Sequence, residues 1–181
     1  MKKFTLSAIV AILVLGTNLN AGDPTLKPSS VTLMGGYSIS TDDSILKNNH
    51  TYSFRFTQND FGIDNFGLNA FQLALDYTPD ISYKKSKEVT SSVKFGPNLI
   101  WYLSDMSDIT PYLLFGLGIE NLSNPQQGFT SWDFYANGGA GFEYQLRDDI
   151  SLVGEAKYSY SDPRRKSTTV SAGLKFSFGN Y

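Results

Sequence analysis

Few side chains in this chain have the types and spacing that chemistry needs. Its one histidine, His50, stands three residues before Ser53. A serine nucleophile needs such a base, and an acid to orient the base. On an extended strand, residues three apart fall on opposite faces, so His50 and Ser53 do not address one substrate. No catalytic residue is expected. Cysteine is absent, which removes thiolate chemistry, disulfides, a lipoprotein anchor and Cys-based metal sites. The acids and the lone histidine form no ligand cluster, so neither a metal site nor a cofactor is expected. Arg164, Arg165 and Lys166, beside Asp162 and Pro163, read as a solvated turn. Phosphate binding needs clustered Lys and Arg beyond this, so a nucleic-acid partner is not expected.

More is carried by Arg55, Asp76, Lys94, Glu120, Glu143, Glu155, Lys157 and Lys175. Each falls on the polar side of a segment that alternates polar and apolar. Four are positive and four negative. A narrow interior requires such cancellation, and a water-facing surface does not. Depth counted along antiparallel neighbours places Asp76 between Arg55 and Lys94, Glu155 opposite Lys175, and Glu143 near Lys157.

The elements that would carry these charges are eight alternating segments: 31–40, 50–57, 71–77, 89–102, 112–120, 132–146, 150–160 and 168–178. In the last, Val170, Ala172, Leu174, Phe176 and Phe178 share one face, and Thr169, Ser171, Gly173, Lys175 and Ser177 the other. Residues 58–69 and 161–166 read as loops, and Thr78-Pro79 as the end of the third strand. Pro97 within the fourth implies a bulge or a lost ladder bond. Strands of this length suit a tilted bilayer crossing, and a sheet in lipid must close on itself.

Alternation alone leaves two barrels open, because a soluble barrel would turn its oily face inward. The membrane reading is favoured by three features: an oily face free of charge, a polar face rich in Gly and Ser, and aromatics near strand ends. Those aromatics, Tyr37, Trp101, Trp132, Tyr144, Tyr158 and Tyr160, would form a girdle at the lipid headgroups.

The chain opens with Lys2 and Lys3, an apolar run, and then Gly16 and Ala21, the pattern of a signal peptide over residues 1–21. A short lead-in, 22–30, would precede the barrel, 31–181. Losing Lys2 and Lys3 turns 15 basic and 17 acidic residues into 13 and 17, a net charge of −4.

The end of the last strand, Ser171-x-Gly173-x-x-Phe176-x-Phe178, resembles the β-signal of bacterial outer membrane barrels. Thr110-Pro111-Tyr112 followed by Gly116-x-Gly118, and Asn137-Gly138-Gly139-x-Gly141, are similar to the fifth and sixth strands of the OmpA-type and OmpX-type, or porin-family, barrels. The resemblance implies an all-β, eight-stranded antiparallel up-and-down transmembrane barrel in the Gram-negative outer membrane. Its partners would be outer membrane lipids and the barrel assembly machinery, which reads the last strand in that family. The extracellular partner is not named by the sequence.

The implied role is a small structural and surface-displaying protein with a charge-plugged lumen, not an enzyme and without a cell-wall tether. Three alternatives stand beside it. An adhesin or receptor could act through loops such as Tyr83 to Lys87 and Phe129 to Trp132, and a small-solute porin could conduct. A lipid A-modifying enzyme is the third, but the deacylases carry a late His-x-Ser motif that this sequence lacks.

Overall fold

A computed structural model describes residues 29–41, 45–63, 68–85, 88–103, 109–125, 131–147, 149–162 and 165–179. The expected signal peptide and residues 22–28 of the lead-in lie outside them. Eight strands follow one another: β1 (Ser29–Ser40), β2 (Asn49–Ile63), β3 (Leu68–Ser82), β4 (Val89–Tyr102), β5 (Ile109–Leu122), β6 (Trp132–Arg147), β7 (Ile150–Asp162) and β8 (Arg165–Phe178). Each pairs antiparallel with its neighbours in sequence. β8 returns to β1 in an unbroken ladder from Ser29↔Phe178 to Ser40↔Ser167, closing the sheet into a barrel. Closure leaves no edge strand unpaired.

The faces fall as the alternation predicts on all eight strands. Leu33, Phe115, Leu117, Phe134 and Val170 are more than half exposed on the outside, and Phe134 reaches 80%. Inside, Thr32, Arg55, Gln72, Asn98, Glu120 and Ser159 are buried. Apolar side chains out and polar side chains in is the inverse of a soluble protein. An apolar belt contributed by every strand is stable only against hydrocarbon.

Two outward glycines, Gly138 and Gly154, lie beside aromatic rings. A Cβ on Gly154 would meet the Phe142 ring at 2.5 Å, and one on Gly138 would touch Phe115 at 3.5 Å.

The strands run further than the sequence pattern suggests. Ser29 and Ser30, expected in the lead-in, belong to β1, and Ser29 Oγ donates to Gln58 Oε1 at 3.2 Å. That bond lets polar side chains stay in strand at this end of the barrel. The expected turn over 58–69 therefore shrinks to the segment between Ile63 and Leu68, which pair with each other. β3 does not end at Pro79. It passes through an irregularity in which the register shifts between Thr78 and Ile81 and Asp80 takes φ 47°. The Pro79 carbonyl accepts from Asn49 Nδ2 at 2.6 Å, and a proline in a bulge forfeits no regular ladder bond. Likewise, of the expected last loop over 161–166 only 163–164 separate the strands, since Asp162 pairs with Arg165. At Pro97 the ladder with β3 is intact, while the ladder with β5 skips Gly96 and Pro97 and resumes in the same register. The outcome is lost pairing, not a bulge.

Candidate functional site: the charge-filled lumen

Inward-facing side chains meet in three tiers along the bore. The middle tier joins β2, β3 and β7. Arg55 Nη2 lies 3.2 Å from Asp76 Oδ1 and 3.1 Å from Glu155 Oε1. Lys157 Nζ lies 2.5 Å from Asp76 Oδ2 and 3.9 Å from Glu155. Ser53 donates to Asp76 at 2.6 Å and the Tyr112 hydroxyl to Glu155 at 3.2 Å. The ring of Tyr112 fits because position 141 is glycine, where a Cβ would lie 2.4 Å from the ring carbon Cζ.

Toward the chain termini, Lys175 Nζ binds Glu143 at 2.7 Å and Tyr102 donates to the same carboxylate at 3.0 Å. Toward the opposite end, Glu120 accepts from Ser92 at 2.7 Å and has Lys94 at 3.7 Å and Arg165 at 3.6 Å, while Arg165 also binds Asp133. Between the tiers, Asn137 donates to Asn98, Asn98 to Gln72 and Gln72 to Thr57, at 3.3, 2.9 and 3.1 Å. Met34, Ala70, Ile100, Leu114 and Val153 add a buried apolar cluster to these networks.

The eight sequence-selected charges thus all point into the bore, but their partners differ from those counted along the strands. Asp76 does sit between two cations, Arg55 and Lys157. Lys94, though directly opposite it in register, turns to Glu120. Glu155 faces Ser171, and Lys175 lies four residues further along β8 beside Ser151. Four residues are roughly 13 Å of strand, beyond a lysine's reach to that carboxylate. Glu155 therefore pairs with Arg55 and Lys157, and Glu143 takes Lys175 in place of Lys157.

Arg165 and Asp133 were not among the expected lumen charges. Arg165, read as part of a solvated turn, has a side chain only 2% exposed. Extending the alternation of β8 two steps back from Thr169 would have placed it inward. With this pair the described lumen holds five cations and five acids.

The end remote from the termini is covered by connecting segments. Leu46 forms a bridge with Tyr83, and Ile81 joins them in a small apolar cluster. Tyr83 donates to the Asn124 carbonyl at 2.7 Å and Lys84 Nζ to the Thr41 carbonyl at 2.7 Å. Tyr83, expected as part of a binding loop, is thus a buried tie at 1% exposure. Residues 86, 87, 129 and 130 of the two candidate loops lie outside the described residues. Trp132 is an exposed outward residue of β6.

His50 stacks edge-on against Tyr37 with ring centroids 5.3 Å apart, while Ser53 faces inward and is held by Asp76. The two do not form a catalytic pair. Among the described residues, no three His, Cys, Asp or Glu side chains converge as a metal site requires.

No protein-family model matches the sequence, and no curated protein is similar to it in sequence. The fold does match solved structures over nearly their whole length. Neisserial surface protein A is similar at a TM-score of 0.59 and 19% identity, over 83% of this chain and 97% of that one. Ail, the attachment invasion locus protein of Yersinia pestis, gives 0.53 and 16%, over 84% and 100%. The fold is that of the OmpA/OmpX-type outer membrane barrels. The outer membrane enzyme PagL shares it at 0.52 and 15% identity, over 82% and 99%. The OmpA/OmpX-type fold therefore hosts more than one activity, and at these identities the likeness carries architecture alone.

In an OmpA/OmpX-type barrel the aromatic side chains at the two rims of the belt meet the headgroups. Tyr37, Trp132, Tyr158 and Tyr160 stand outward and exposed near one rim, and Trp101 and Tyr144 near the other. Tyr52 and Tyr77, not singled out by the sequence reading, pair with each other near the first rim. In β8, Phe176 and Phe178 are outward and exposed, and Ser171 and Gly173 inward. Gly173 lies on the closing seam opposite Met34, where a Cβ would come within 1.9 Å of the Leu33 carbonyl oxygen.

Proposed function

We propose that this protein is a small integral protein of the Gram-negative outer membrane whose lumen is plugged by charge and whose loops are displayed outside the cell. The observation that carries the reading is the middle tier, where Lys157 on β7 binds Asp76 on β3 and Arg55 binds Glu155. In an eight-stranded barrel β3 and β7 face each other, so these bonds cross the bore, which supports a lumen closed to solute. A bore of this size is filled by its own side chains. A porin function is disfavoured for the same reason.

The fold shared with PagL keeps an enzymatic reading in view. Against it, His50 is turned to the outer face and Ser53 to the inner one, so the chain's one imidazole cannot activate that hydroxyl. Planar-bilayer recording of the reconstituted barrel tests the plug: little or no steady conductance is expected, and a stable, large, ion-conducting state would overturn it. A binding screen with each loop deleted in turn tests the adhesin or receptor alternative. Loss of a specific outside ligand with one loop would favour that alternative over a purely structural role.

A further inference from the structure

On the outer face the belt is not smooth. The skipped pairing at Pro97 coincides with a cavity of about 480 Å³ between β3 and β6, within the range of small-molecule sites. The short side chains Pro97 and Ala136 leave the space, and Phe71, Leu99, Phe115 and Leu117 line it. Gly116 and Asn137 complete the lining, and the Asn137 side chain is turned into the lumen, where it donates to Asn98, so the surface the site presents is almost wholly apolar.

Its depth selects the occupant. Leu99 stands two residues before Trp101 of the rim nearer the chain termini, and Pro97 two residues deeper, each step being roughly 6.6 Å of strand. The cavity therefore begins just below the headgroup level on the termini side and runs inward through hydrocarbon. We propose that it is a seat for one acyl chain of a phospholipid from the leaflet on that side. A mobile chain would lie where the missing ladder contacts leave the wall concave, while its headgroup would meet water beside Trp101. This inference rests on the membrane reading above.

The test uses the full mature chain, refolded in detergent with dioleoyl phosphatidylglycerol as the probe and examined by native mass spectrometry. The wild type is expected to retain one lipid per barrel. Ala136→Phe, which fills the space, should lower that fraction at least tenfold, while Val170→Phe on the far side of the belt should leave it unchanged. Heat-dependent gel mobility verifies folding of each variant, and Ala136→Leu serves if the phenylalanine variant does not fold. A wild type that retains no lipid, or a filled variant that retains as much as the wild type, would refute the seat. So would a dimer that Ala136→Phe dissociates, because the groove would then receive a second copy. Failure of the wild type to enter vesicles at all would count against the membrane reading, whereas a barrel that inserts but holds no lipid counts against the seat alone.

Discussion

Lys157 reaches Asp76 at 2.5 Å from the opposite wall of the barrel, although Asp76 has Lys94 directly across its own ladder. The base directly across the ladder from Asp76 is not the one that binds it. Lys94 instead meets Glu120, its partner in the next ladder, at 3.7 Å. The middle tier is therefore a set of bonds across the bore, and its members are nearly excluded from water.

This difference in placement predicts a difference in stability. Asp76→Ala leaves two buried cations, Arg55 and Lys157, to share Glu155 alone and should cost about 3–5 kcal/mol. Lys94→Ala removes a longer, more exposed contact and leaves Glu120 with Ser92 and Arg165, so it should cost under about 1 kcal/mol. Denaturant unfolding of the refolded barrels measures both. Equal losses would mean that the middle tier has no special weight. Replacing Asp76 and Lys157 together by leucine and methionine should cost much less than Asp76→Ala, because Arg55 keeps Glu155.

Arg165→Ala should destabilise the barrel by about 3 kcal/mol or more, since Glu120 and Asp133 both lose a buried cation. If this residue were part of a solvated turn, the change would fall within about 0.5 kcal/mol. The same unfolding experiment separates the two.

At the closing seam, Gly173→Val should block barrel formation more severely than Gly35→Val in the facing strand. A Cβ at 173 collides with the β1 backbone, whereas one at Gly35 meets nothing within 4 Å. The readout is the fraction of protein with heat-dependent gel mobility after refolding. Polar replacement of Phe176 and Phe178 should reduce the yield in membranes. If yield in cells falls while refolding in detergent is unchanged, the two rings serve recognition during assembly rather than stability.

The faces of all eight strands were legible because a period of two is a local property: once Val170 is outward, Ser171 is inward. Strand ends were less so. Polar residues such as Ser29, Gln58 and Arg165 look like loop until their partners are known, and those partners come from distant strands or the far wall. The ion pairs were legible as a set but not as pairs. Register decides which charges share a depth, and Glu155 and Lys175 differ by four residues. Tyr83 was misjudged for a related reason, since its tie to Asn124 joins two loops that sequence spacing does not relate.

The central claim is that the apolar face of every strand lies in lipid and the polar face in a closed lumen. Because the chain has no cysteine, single cysteines can be placed at each position from 169 to 176 in β8 except Gly173, where a side chain would collide with β1, and spin-labelled without background. In reconstituted bilayers, labels at Val170, Ala172, Leu174 and Phe176 should be relaxed strongly by membrane-dissolved oxygen. Labels at Thr169, Ser171 and Lys175 should be shielded, giving an oscillation of period two. An oscillation of the opposite phase, or uniform access to a water-soluble nickel complex along the strand, would contradict the account.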